Sequence, residues 1–143
     1  GNMKNGAKVD LDIALSNNVK AEVSGGDNAG LACGTMDENA SLAVSLSSNL
    51  LDVSGKSNAG VFVGKMSAGA TLSIDKCNTL TDVNISANNA GGLVGSAENA
   101  EINVGGNVNI TMTGSVTGSV TAGGLIHTVK PTKRHLTFQN SVA

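Results

Sequence analysis

Asn28-Ala29-Gly30-Leu31-Ala32-Cys33-Gly34 returns as Asn58-Ala59-Gly60-Val61-Phe62-Val63-Gly64 and again as Asn89-Ala90-Gly91-Gly92-Leu93-Val94-Gly95. A weaker copy follows at Thr121-Ala122-Gly123-Gly124-Leu125-Ile126-His127, so the spacings are 30, 31 and 32 residues. Working outward, a second apolar run trails each first one: Leu42, Val44, Leu46, then Leu72, Ile74, then Ile102, Val104. A third closes each unit: Leu51, Val53, then Leu80, Val83, Ile85, then Val108, Ile110, Met112 and Val116. The second and third runs alternate apolar with small polar residues, which is the period of a half-buried strand. No stripe at i, i+3, i+4 competes with it. A period near 31 residues with three short strands per unit predicts an all-β parallel β-helix, or β-solenoid, of about four to five coils.

On this reading residues 1–143 form a single solenoid domain. Its coils lie near 28–57, 58–88 and 89–120, with partial coils at 7–27 and 121–143. Stacking at strand spacing would make a body about 20–25 Å long. Neither end carries an amphipathic capping helix. The expectation is therefore that charged tails close the ends, or that the chain is a piece of a longer array whose open ends can self-associate. Gly1 ahead of Met3 reads as the remnant of a cleaved tag. The start also lacks the charged and apolar regions of a signal peptide.

Each repeated residue type has a backbone reason. Gly30, Gly60, Gly91 and Gly123 stand where the chain turns toward the first strand, and Gly34, Gly64 and Gly95 where it leaves. Corners demand positive φ or close backbone approach, which glycine meets without a Cβ. Asn28, Asn58 and Asn89 are expected either to form a ladder of stacked amides or to serve as turn residues tolerant of the left-handed region.

Composition narrows the function. The chain has 19 glycines, one proline, no Trp or Tyr and two Phe, with 40% hydrophobic and 14% charged residues. It is too apolar to be disordered. A net charge of −2 with 1% aromatics excludes capture of nucleic acid, which needs a cationic surface and stacking rings. No stretch approaches the length of a membrane span. Cys33 and Cys77 occupy different places in the pattern and read as two structural thiols.

Ala90-Gly91-Gly92-Leu93-Val94-Gly95, followed by Ile102 and then Gly114-Ser115-Val116-Thr117-Gly118, resembles the GLUG-motif repeat of bacterial surface and secreted proteins. The likeness is close over 90–118 and looser at 28–55, 58–85 and 121–127. Leu31-Ala32-Cys33 and Val61-Phe62-Val63 depart from it, and His127 replaces the last glycine. The resemblance implies an extracellular or cell-surface location and a stacked, adhesin-like β-repeat. It carries no catalytic residue.

The residues themselves offer little chemistry. His127 and His135 flank Lys130-Pro131-Thr132-Lys133-Arg134 without metal-ligand spacing, and no nucleophile motif is present. One column could hold a cofactor. Glu22, Asp52 and Asp82 are spaced by 30 and 30, each one residue before a valine. Stacked, they would repel unless a lysine or a cation such as Ca²⁺ lay between them, or they are simply solvated outward acids.

A polysaccharide-processing β-helix enzyme would want clustered acids, basic residues and aromatic platforms. Arg134 is the only arginine here and platforms are missing. An ice-binding solenoid would want Thr-x-Thr on successive coils, and only Thr111-Met112-Thr113 supplies it. The expectation is a non-enzymatic structural or adhesive segment without a required cofactor. Its polar face would meet a host or neighbouring-cell glycan or protein, or act as a rigid spacer.

Overall fold

A computed structural model describes the backbone of residues 1–14, 20–47, 51–77, 79–104, 111–122, 126–130 and 133–135, and side chains within 1–14, 20–46, 51–77, 83–103 and 115–118. The described residues are all β. In chain order the strands are β1 (Asn2–Met3), β2 (Lys8–Ala14), β3 (Ala21–Ser24), β4 (Asn28–Ala29), β5 (Cys33–Met36), β6 (Ser41–Ser47), β7 (Leu51–Ser54) and β8 (Asn58–Ala59). They continue as β9 (Val63–Met66), β10 (Thr71–Lys76), β11 (Thr79–Ala90), β12 (Val94–Glu98), β13 (Glu101–Val104), β14 (Thr111–Ala122), β15 (Ile126–Lys130) and β16 (Lys133–His135).

These strands make three parallel sheets. The first runs β1-β5-β9-β12-β15 and the second β2-β6-β10-β13-β16. In the third, β11 pairs with β7 along its first half and with β8 at its end, β3 and β4 lie beyond those, and β14 flanks β11 on the other side. Consecutive repeats thus lie side by side, each giving strands to all three sheets in turn.

Register is set by the alternation of the sequence. In the second sheet Val9, Leu42, Leu72 and Ile102 share one column, and Leu11, Val44, Ile74 and Val104 the next but one. In the third sheet Val23, Val53, Ile85 and Val116 align. A one-residue slip would turn each such set to solvent, so the apolar columns pin the pairing. Leu42, Val44, Leu51, Val53, Leu72, Ile74, Val83 and Ile85 are all buried in one shared core. Fully burying each such side chain contributes about 1.5–3 kcal/mol, far more than any single polar contact.

Among the described residues the core holds one aromatic ring. Phe62 is fully buried. Ala32 stands at the equivalent place in the preceding repeat, where the Ala32 N–H bonds the Phe62 carbonyl at 3.1 Å. A small residue in the adjoining layer offsets the volume of the ring, as close packing requires.

The repeated glycines work through close approach. A Cβ on Gly60 would stand 2.7 Å from the Leu93 and Val63 carbonyl oxygens and from the Val94 Cα, all of them backbone. Left-handed corners lie elsewhere, at Gly6 (φ 72), Asn39 (φ 59), Gly69 (φ 74) and Asn99 (φ 50). Each is followed by a well-packed alanine (Ala7, Ala40, Ala70, Ala100) and then by a strand of the second sheet. Neighbouring corners bond one another: Asn39 N–H to the Ala68 carbonyl at 3.1 Å, and Gly69 N–H to the Asn99 carbonyl at 2.8 Å.

The Asn-Ala pairs belong to the third sheet, as β4, β8 and the end of β11, so the following glycine lies at the corner before the first sheet. Gly123, Val108, Ile110, Leu136 and Phe138 lie outside the described residues, as do the side chains of Asp82, His127, Arg134 and His135.

Candidate functional site

The outward positions of the third sheet form two polar columns. Glu22 is register partner of Asp52, Asp52 of Asn84, and Asn84 of Ser115. Two residues along each strand, Ser24, Ser54, Ser86 and Thr117 align in the same way. The intervening Val23, Val53 and Ile85 point to the core side, because side chains alternate across a strand. Together these residues line a shallow open groove of about 360 Å³.

The first column is cross-linked by its own side chains. Lys20 Nζ lies 3.4 Å from Asp52 Oδ1. Asn84 Nδ2 donates to the same oxygen at 3.0 Å, and Ser115 Oγ donates to Asn84 Oδ1 at 2.8 Å. The charge of Asp52 is therefore met by a lysine and an amide. Glu22 is exposed at the head of the column and has no hydrogen-bond or ion-pair partner among the described residues.

The carboxylate column anticipated from the sequence needs a correction at its third member. Glu22 and Asp52 do stand side by side, but Asn84, not Asp82, is the partner of Asp52. Two more residues separate Ile74 from Ile85 than separate Val44 from Val53, and β10 is irregular between Ile74 and Lys76 where the extra length begins. An insertion of two residues keeps the in–out alternation intact, so Asp82-Val83 and Asn84-Ile85 look equally good by pattern. Among the described residues, no group of three or more His, Cys, Asp or Glu is placed to hold a metal ion.

The second column carries the exposed hydroxyls. Ser24, Ser54, Ser86 and Thr117 face solvent and have no side-chain partner among the described residues. The sequence pattern predicts outward Ser and Thr in general without singling out these four. Their signal was the dipeptide Val-Ser, Val-Ser, Ile-Ser, Val-Thr at 23–24, 53–54, 85–86 and 116–117.

At the edge of the same sheet runs an amide ladder. Asn58 Nδ2 donates to Asn28 Oδ1 at 2.7 Å, and Asn89 Nδ2 donates to Asn58 Oδ1 at 3.3 Å. Asn28 Nδ2 in turn donates to Thr35 Oγ1 at 3.1 Å, tying the ladder to the first sheet. The three asparagines are half-buried, and each rung joins one repeat to the next.

Both cysteines are buried free thiols. Burial pushes the Cys77 thiol up to about 12. Cys33 is raised as well, mainly by burial, and its Sγ donates to the Thr35 carbonyl at 2.8 Å. A thiol held protonated is a poor nucleophile and a poor metal ligand.

A second groove of about 430 Å³ crosses the second sheet over Lys8, Asp10, Ser41, Ala43, Thr71 and Ser73. It gathers one lysine and one aspartate over mostly small side chains. No protein-family model, no curated protein and no solved structure matches the chain.

Proposed function

We propose that this chain is a parallel β-solenoid acting as a non-catalytic structural and adhesive segment of a bacterial surface or secreted protein. The observation that carries the proposal is the parallel pairing of described strands about 30–33 residues apart in all three sheets. Such a stack is stiff because each repeat is hydrogen-bonded to its neighbours along the axis. The Asn28–Asn58–Asn89 ladder adds side-chain bonds in the same direction.

The GLUG-like residues at 90–118 support a surface or secreted setting, in which a rod holds a partner away from the cell or meets it directly. The reading requires no cofactor, since Lys20 and Asn84 already answer the charge of Asp52. It also invokes no chemistry, and both cysteine thiols are buried.

Limited proteolysis of the folded chain tests the proposal. Cleavage is expected to spare the described strands between residues 20 and 104, because a strand paired in a ladder is not accessible to a protease. Rapid cutting within β6, β7 or β10 would overturn it.

A further inference from the structure

We infer that β2 pairs edge to edge with β2 of a second copy of this chain, antiparallel about a two-fold axis at Asp10, to give a closed dimer. The inference rests on the stacked-repeat reading above and adds a partner to it.

One end of the stack carries an edge of all three sheets. β1 ends the first sheet, β2 the second, and β3 and β4 the third, and no described strand pairs with β2 on the side away from β6. The Ser41 N–H donates to the Ala7 carbonyl at 2.8 Å, so the odd-numbered residues of β2 turn their backbone groups toward β6. The N–H and C=O groups of Lys8, Asp10 and Asp12 therefore point off the end of the stack, an open edge that can bond another strand.

Side chains at this edge are short of cover as well. Val9 is 41% exposed, whereas Leu42, its register partner in the next repeat, is 2% exposed. Leu11 and Ile13 are half-buried, while Val44 and Leu46 beside them are buried. A strand of the same alternation laid on the edge takes that apolar row out of water.

Charge decides which strand it is. At the far edge of the second sheet, Arg134 falls in the row of Val9, Leu42, Leu72 and Ile102, and Lys133 in the row of Lys8. Stacking head to tail would set an arginine beside Val9 and a lysine beside Lys8, and only His135, in the row of Asp10, would gain. That arrangement would also propagate without closing. Pairing β2 with its own copy avoids both.

A two-fold axis makes the paired strands antiparallel. With Asp10 on the axis, Lys8 stands opposite Asp12 of the copy and Val9 opposite Leu11, each twice. Two opposite-charge pairs form on the outer face, and the exposed valine is covered on the inner one. Asp10 opposite itself is the one unfavourable pair. Moving the axis to Leu11 would set Asp10 opposite Asp12 twice with no attraction, and moving it to Val9 would leave only Lys8, Val9 and Asp10 paired within the strands. An axis between residues would set apolar against polar faces.

Sedimentation of the 143-residue chain over a concentration series tests the inference, with thermal melts of each variant alongside. Monomer and dimer are the species expected. Lys8→Asp should weaken dimerisation about tenfold, by turning two attractions into repulsions, and adding Asp12→Lys to it should restore the dimer. Asp10→Asn should tighten it. Asp10→Cys should close into a disulfide-linked dimer on air oxidation, because opposite residues of a hydrogen-bonded antiparallel pair stand about 5.5 Å apart at Cα. Ala14→Cys, far from the axis, should not.

A chain that melts cooperatively yet stays monomeric at every concentration, or that forms open-ended polymers, would overturn the dimer while leaving the stacked-repeat reading standing. No recovery in the double charge variant, or closure at Ala14→Cys and not at Asp10→Cys, would overturn it too. A chain that lacks a cooperative melt would instead overturn the reading beneath it, and the inference with it.

Discussion

Asn84 reaches back 32 residues to donate a hydrogen bond from its Nδ2 to Asp52 Oδ1 at 3.0 Å. That contact replaces a third carboxylate with a neutral amide, which removes the repulsion a stack of like charges would impose. It also accounts for Lys20, whose ammonium completes the neutralisation from the preceding repeat.

Because the column satisfies itself, added metal should change nothing. The melting temperature is expected to stay within about 1 °C on adding EDTA or millimolar calcium, since only a ligand that binds the folded state raises it. Asn84→Ala should cost about 1 kcal/mol in urea unfolding, the value of one partly exposed hydrogen bond to a charged group. A rise of several degrees with calcium would point to a cation site and not to an amide bridge.

The amide ladder should matter more. Asn58 gives one hydrogen bond and accepts another, and Asn58→Ala removes one hydrogen bond from each of Asn28 and Asn89. The expected loss is about 2 kcal/mol, read as a shift of the urea midpoint at constant m-value. Asn58→Asp should cost at least as much, because it removes the donor and places a charge in a half-buried column. A loss too small to measure would reduce the ladder to three independent turn residues.

Corners give a contrast within one protein. Asn39→Gly and Asn99→Gly keep the left-handed backbone at φ 59 and φ 50 and should be close to neutral. Asn39→Ala and Asn99→Ala should each cost about 1 kcal/mol, because a plain Cβ is disfavoured there. Gly60→Ala should be worse than any of these, since its Cβ meets three backbone atoms at 2.7 Å that no rotamer change can move. Gly26→Ala, with nothing within 4 Å, is the control.

Buried Cys77 predicts a pH dependence. Burial raises its thiol from 9.0 to about 12 in the folded chain. Between those values the unfolded chain has lost a proton that the folded chain keeps, so stability is fully present below pH 9 and falls as pH climbs toward 12. Urea melts at pH 8 and pH 10.5 should show wild type losing more stability across that interval than Cys77→Ala. Equal slopes would mean that the thiol is solvated in the fold.

Part of this was legible in the sequence, for identifiable reasons. The repeat and the Asn28, Asn58, Asn89 series could be read because the same side chain returns at each position. The strands announced themselves through alternation, as at Leu42, Val44 and Leu46. The left-handed corner escaped notice because Gly6, Asn39, Gly69 and Asn99 share a backbone tolerance and not an identity. A search for Gly or Asn followed by Ala and then a strand would have found it. The partner of Asp52 was misassigned because a two-residue insertion is invisible to a pattern of period two. Only the pairing of Val83 with Leu51, and so of Asn84 with Asp52, settles which residues share a row.

Spin labels on the exposed column measure directly whether repeats lie side by side in parallel register. With Cys33 and Cys77 replaced by alanine, nitroxides are placed in pairs at Ser54 and Ser86 and at Ser24 and Ser86. The first pair lies on neighbouring strands, at about 5 Å between backbones, and should show strong dipolar broadening. The second lies two strands apart, near 10 Å, and should show weaker broadening. Labels at Ser54 and Ser86 showing no dipolar interaction, or the two pairs in the reverse order, would contradict the stack of parallel repeats.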